Sequence, residues 1–320
     1  MTAALGCEQG ESFVAYWGDT VEVAKSLPSD SVDFSVFSPP FSSLFVYSSS
    51  ERDMGNVRSD EEFFAGMEFL VREQFRVMKP GSNVAAHCML LPTSKTKDGY
   101  IGLKDFRGDL IRAYQKAGFI FHAEVCIWKD PVTAMQRTKA LGLLHKQIRK
   151  DSSMSRMGIP DYVVVMRKPG QRVAPVSHTH EDFPVEMWQR YASPVWVSTA
   201  GEDSEGFKRC VQTTATNPNG IDQSDTLQFR SAREHDDERH LCPLQLEVIR
   251  RMLTMYSNPG EVTWSPFMGI GSEGVTAIEM GRKFIGAELK ASYFGQAVRN
   301  LRAAEKQERS QGDLFSTANQ

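Results

Sequence analysis

No stretch of this 320-residue sequence approaches about 18 consecutive apolar residues, so no membrane span is expected. Residues 1–10 lack both a basic start and an apolar run, and no secretory leader is expected there. Cysteine is scarce. The five present, Cys7, Cys88, Cys126, Cys210 and Cys242, are odd in number and none stands in C-x-x-C spacing. That pattern excludes a disulfide framework and points to free thiols in the reducing cytoplasm. Neither charge sign is in excess: 37 Lys and Arg face 40 Asp and Glu, for a net charge of -3. A general attraction to nucleic acid is thereby excluded, and any such binding needs a local patch. His178-x-His180 has no further ligand at a supporting spacing, so no metal is expected. Internal repeats of about 20–50 residues are absent.

Apolar residues make up 41% of the chain and charged residues 24%. Chains of this size bury about three-quarters of their unfolded surface. The length exceeds the roughly 100–200 residues of one domain, which implies one large domain or one with a smaller module. Apolar periodicity alternates between strand and helix. Strands are expected at residues 12–17, 31–37, 83–91, 119–128, 161–167, 261–264 and 283–288. Helices are expected at 20–27, 60–78 with Asp60 as its cap, 105–117, 243–256, 272–280 and 292–305. Residues 132–150 are helical in propensity and rich in bases. From 169 to 240 the alternation fades into Pro, Ser, Thr, Asn, Asp and Gly with isolated aromatics. The polar tail from 307 is expected to fray.

Two short constellations carry chemistry. Ser265-Pro266-Phe267-Met268-Gly269-Ile270-Gly271-Ser272-Glu273-Gly274 lies between an expected strand and an expected helix. Glycines there let backbone approach a ligand, and a helix N-terminus offers free N–H groups. Glu288 ends the next expected strand, where a carboxylate can accept from both hydroxyls of a ribose. The glycine spacing fits neither a dinucleotide fingerprint nor a P-loop. The second is Ser38-Pro39-Pro40-Phe41, which ends a strand abruptly. The Ser38 hydroxyl and the Pro39 carbonyl can both accept from one NH2 group, and Phe41 can stack on a planar ring. Taken singly, each also reads as a plain turn, with a surface Glu in one case and a packed Phe in the other.

Together, in this order, the two resemble the motifs of DNA amino-methyltransferases that use S-adenosylmethionine. In that family the catalytic motif is Asp/Asn/Ser-Pro-Pro-Tyr/Phe/Trp and the cofactor motif is Phe-x-Gly-x-Gly. The permuted branch places the catalytic motif first, as here with 38–41 ahead of 267–271. Gly18-Asp19 resembles the opening Gly-Asp of that branch. Pro243 and Gln245 resemble its Pro-x-Gln segment, and Phe284-Ile285-Gly286-Ala287-Glu288 its ribose-binding strand. Ser265 stands where the family usually has Asp, and Cys242 where it commonly has His. The segments 135–144 and 160–168 are similar to bacteriophage-encoded members.

The resemblance implies a Rossmann-like α/β methyltransferase sheet, with S-adenosylmethionine bound by Asp19, Pro243, Gln245, Phe267, Gly269, Gly271 and Glu288. It implies catalysis at Ser38, Pro39, Pro40 and Phe41 on a base flipped from double-stranded DNA. Ser at the first motif position tilts the target to cytosine N4 over adenine N6. Methylation of RNA or of a protein amide, or a non-catalytic DNA-binding relative, are the alternatives. A basic segment supplies the expected phosphate grip through Arg137, Lys139, Lys146, Arg149 and Lys150. The expected organisation is a catalytic half at 1–130, a basic insert at 131–160 and a returning strand at 161–170. A target-recognition module at 171–240 follows, with Trp188, Tyr191, Trp196 and Arg230 as candidate contacts and a small hydrophobic core as the equal alternative for the aromatics. The cofactor half spans 241–306, then a flexible tail at 307–320. A monomer or a homodimer fits equally, as does a role in restriction-modification.

Overall fold

The structure, a computed structural model, describes residues 4–41, 54, 57, 59–129, 131, 145–199, 220–228 and 243–317. The first elements are β1 (Gly6–Gln9), β2 (Phe13–Trp17), α1 (Thr20–Ser26), β3 (Val32–Phe37), α2 (Asp60–Val77) and β4 (Met78–Met89). Next come β5 (Leu91–Pro92), α3 (Lys95–Asp98), β6 (Leu103–Lys104), α4 (Phe106–Lys116), β7 (Ile120–Trp128), α5 (His145–Asp151) and β8 (Asp161–Arg167). The chain continues through α6 (Val185–Tyr191), β9 (Val195–Thr199), β10 (Ile221–Asp222), α7 (Leu246–Tyr256) and β11 (Val262–Ser265). It closes with α8 (Ser272–Glu279), β12 (Lys283–Glu288) and α9 (Ala291–Thr317).

Among the described residues ten strands form one sheet in the order β1-β2-β12-β11-β3-β4-β8-β7-β9-β10. The run β2-β12-β11-β3-β4 is parallel throughout, and β8 lies antiparallel between β4 and β7. This mixed α/β sheet is the expected fold class. Every residue of β3 is buried, as a strand covered on both faces requires. Phe34 and Val36 join a core formed with α7, α8 and α9, and Val32 and Phe37 a second core formed with α1, α2 and α4.

Strand β3 leads away to β4 through α2, whereas its neighbour β11 leads the opposite way to β12 through α8. The order therefore reverses between β3 and β11, and ligands of open α/β sheets bind at the carboxyl ends of strands at such a point. Asp33 pins the two strands together: its Oδ2 accepts from the Val262 N–H at 3.0 Å, and Lys79 holds its other oxygen at 2.6 Å.

Several elements differ from the sequence expectation. Ser59, extended at φ -146, caps α2 and accepts from the Glu62 N–H, so Asp60 is the first helical residue. Helix α9 runs to Thr317, well past residue 305. Its polar extension is rich in helix formers, and Arg302 and Arg309 pair with Glu8 and Glu11 near the first hairpin. Of that hairpin, β2 matches the strand expected at 12–17, whereas β1 has no counterpart among the expected strands. Strand β9 emerges from the loop-rich insert to pair with β7, and Trp196 on it is 1% exposed in the core. The Arg251 guanidinium lies over both the Trp196 and Tyr191 rings, so these two aromatics pack rather than reach outward. Trp188 is exposed, and Arg230 lies outside the described residues. Among the described residues no helix is long and apolar enough to cross a membrane.

Candidate active site

The glycine turn follows from the need to leave β11 and enter α8 within six residues. Gly269 and Gly271 take φ of +53 and +90, values that L side chains rarely adopt. Gly271 sits immediately before α8, and its N–H donates to the Met268 carbonyl at 2.8 Å. No heavy atom lies within 4 Å of where a Gly269 Cβ would stand, so the backbone there is bare to the cleft. Glu288, at the end of the adjacent β12, ties the turn down. Its Oε2 accepts from the Gly269 N–H at 3.0 Å, and its Oε1 from the Lys290 N–H at 2.8 Å.

The Ser-Pro-Pro-Phe turn leaves the end of β3, next to the end of β11; the rings of Phe37 and Phe267 stand 5.8 Å apart. The Ser38 Oγ lies 3.2 Å from His87 Nδ1, and His87 Nε2 lies 3.1 Å from Asp161 Oδ2. Lys129 also contacts Asp161 Oδ2. Burial pushes the Asp161 carboxyl up, but Lys129 and His87 more than offset it and hold it at about 2. The Phe41 ring meets Phe106 and His87 edge-on, with centroids 6.0 and 6.4 Å away.

These parts line one cavity of about 310 Å³. Of the residues expected from sequence, Asp19, Ser38, Pro39, Pro40, Phe41, Pro243, Gln245, Phe267, Gly269 and Glu288 face it. Gly271 does not line it and acts through the bend it permits. Asp19 has a structural task as well: its Oδ1 caps α1 by accepting from the Val21 and Glu22 N–H groups. Ser265 is fully buried and its Oγ has no partner among the described residues. His87, Lys129 and Asp161 also line the cavity and went unread in the sequence, and Glu273, quoted within the glycine constellation without a role, lines it too. Two signals were there: a histidine within an apolar strand, and an aspartate opening a valine-rich one.

The expected phosphate grip divides. Lys146, Arg149 and Lys150 sit on α5, which has no buried residue, while Arg137 and Lys139 lie outside the described residues. None of the three on α5 lines the cavity. Arg156, in the same basic segment, is held by the Gly102 carbonyl at 2.8 Å.

Glu273 is a buried carboxyl in the first turn of α8. Burial, with a smaller push from Glu288, raises it to about 8, against an ordinary value near 4.5. The raised value sets the sign. Stability is full below the ordinary value and is lost as pH rises through the folded one, where a charge must form in the interior. Glu273→Gln removes that penalty. Thermal melts without ligand should show the variant gaining roughly 2–4 °C per kcal/mol at pH 8.5 and matching the parent near pH 5. Equal differences at both pH values would contradict this.

An open α/β sheet with a glycine turn, a terminal acid and a polar Pro-Pro turn over one crevice defines a nucleotide-cofactor enzyme scaffold. The sequence narrows this further, because the chain belongs to the DNA methylase family of the N6/N4 type, whose model matches residues 32–299. The Type II methyltransferase M.BglII of Bacillus subtilis is 22% identical over 280 residues, 87% of this chain. The aligned part spans 66% of M.BglII, just under two thirds of its length. TTHA0409 of Thermus thermophilus, complexed with S-adenosyl-L-methionine, superposes with a TM-score of 0.61. It shares 21% identity, over 91% of this chain and 95% of its own. The cytosine-N4-specific PvuII DNA methyltransferase gives a TM-score of 0.58 at 14% identity, over 91% and 87% of the two chains. At these identities the two structures share the fold.

Proposed function

We propose that this chain moves a methyl group from S-adenosylmethionine to the exocyclic amino group of a base in double-stranded DNA, cytosine N4 ahead of adenine N6. One observation carries the reading. The Ser38–Phe41 corner and the glycine turn with Glu288 line one cavity at the carboxyl ends of two adjacent parallel strands. Family membership supports it, as do the ligand of TTHA0409 and the specificity of the PvuII enzyme. The unpaired Cys7, Cys88 and Cys126 suit a cytoplasmic setting.

The residues present fit the cofactor. A carboxylate offers about four acceptor sites, so Glu288 can take ribose hydroxyls beside the Gly269 and Lys290 N–H groups, and the bare Gly269 backbone admits close approach. Asp19, Pro243, Gln245 and Phe267 flank that wall. Bound S-adenosylmethionine supplies a methyl activated by positive sulfur. Across the cavity, Ser38 Oγ and the Pro39 carbonyl accept from the amino group and hold it still, while Phe41 packs on the base. A base inside a duplex cannot reach this recess, so it must flip out. Orientation of both partners in one crevice supplies much of the rate.

The test uses S-adenosylmethionine with a trideuterated methyl, plasmid DNA, and mass spectrometry of the digested nucleosides. Labelled N4-methylcytosine is expected. Labelled N6-methyladenine alone would overturn the base preference, and label in RNA or protein but not DNA would overturn the substrate. Absence of cofactor binding by calorimetry would favour a non-catalytic relative.

Contact with DNA makes its own prediction. Joint replacement of Lys146, Arg149 and Lys150 by Ala should weaken binding and flatten the plot of log affinity against log salt by about 2–3 units, near 0.9 per lost phosphate contact. Unchanged affinity and slope at low salt would contradict a role for α5.

A further inference from the structure

We propose that His87, fixed by Asp161, is the proton acceptor behind Ser38, so that Ser38, His87 and Asp161 carry away the proton that amino methylation must release. This rests on the methyl-transfer reading and deepens it by giving the leaving proton a path.

The tautomer follows from the partners. Asp161 is buried yet ionised, and Lys129 and His87 converge on its Oδ2, while its Oδ1 has no partner among the described residues. A carboxylate only accepts, so His87 must carry its hydrogen on Nε2. The neutral ring then has a bare Nδ1, which accepts from the Ser38 hydroxyl at 3.2 Å. With its hydrogen committed to His87, Ser38 offers lone pairs to the cavity. That orientation is the one an amino group needs if Ser38 is to accept from it. Without His87 the hydroxyl could equally turn its hydrogen towards the substrate nitrogen and occupy the attacking lone pair.

The proton count closes through the same groups. As the new N–C bond forms, the C–S bond breaks and its electron pair stays on sulfur, which becomes neutral. The nitrogen then bears a positive charge and one hydrogen too many. Ser38 Oγ takes that proton while its own passes to His87 Nδ1. The imidazolium so formed is flanked by the Asp161 carboxylate and later returns the proton to solvent. Lys129 shares that carboxylate. Other charged groups are Glu273, Glu288 and Lys290, which line the same cavity, and the Arg107–Glu124 pair between α4 and β7.

The decisive variant is His87→Asn, whose carbonyl can accept from Ser38 but cannot take its proton. Single-turnover methylation should fall about 100-fold or more, the usual share of acid–base catalysis, with S-adenosylmethionine affinity within threefold of the parent. A rate within threefold of the parent would overturn the relay while leaving the methyltransferase reading standing. A parent that methylates nothing would instead sink that reading. A second measurement needs neither a variant nor turnover: nitrogen-15 NMR of labelled histidine in the parent protein should show His87 protonated at Nε2 and bare at Nδ1. The reverse tautomer would overturn the proposal.

Discussion

Glu288→Ala is expected to lower the affinity for S-adenosylmethionine about 100- to 10,000-fold. The estimate comes from losing two hydrogen bonds from ribose hydroxyls to a charged acceptor, at about 1.5–3 kcal/mol each. A second loss compounds it. Glu288 accepts the Gly269 and Lys290 N–H groups, so its removal also frees the turn whose bare backbone forms the cofactor wall. Glu288→Gln keeps one carbonyl oxygen and places a donor where the second acceptor stood, so its affinity should fall between parent and Ala variant. Calorimetry reads both, and a ligand-free melt separates the binding loss from any loosening of the turn. Affinity within threefold of the parent in Glu288→Ala would contradict the ribose assignment.

Ser38→Ala should cut the methyl-transfer rate by about 100- to 1,000-fold, the scale set by removing one positioned group from a reacting centre. Cofactor affinity should stay within twofold, because the proposed role of Ser38 is to hold the base and not the cofactor. The loss has two sources. The amino group loses one of its two acceptors, and His87 Nδ1 loses the hydroxyl it faces. Ser38→Thr restores a hydroxyl at the same carbon and should recover most of the rate. Because Ser38 and His87 act as one unit, Ser38→Ala combined with His87→Asn should be little worse than either alone. Full additivity in single-turnover rates would contradict the shared path.

The parts of this site that share a local signal could be read before any coordinates. A glycine turn between a strand and a helix, an acid ending the next strand, and a Pro-Pro corner are each written in a few consecutive residues. Their meeting follows from two parallel pairings, Thr263 with Phe34 and Trp264 with Ser35, which periodicity alone does not specify. The His87–Asp161–Lys129 cluster stayed hidden for the same reason. Its members stand on three different strands or strand ends, up to 74 residues apart, and the antiparallel registers of β8 with β4 and with β7 bring them together. Strand β9 was lost in the insert because a five-residue strand gives little periodicity, and its burial is decided by β7 beside it. The length of α9 is not legible because polarity suggests fraying, whereas helix formers carry it to Thr317 and Arg309 pairs with Glu11 between β1 and β2.

One structure would test the union of the two corners most directly: this protein crystallised with a non-reactive analogue of S-adenosylmethionine and a duplex containing its target. The account predicts the analogue's ribose on Glu288 and a flipped base on Phe41. The amino nitrogen of that base should lie on Ser38 Oγ, within about 3.5 Å of the atom replacing the methyl group. An analogue bound away from the glycine turn, or a base whose amino group faces away from Ser38, would contradict it.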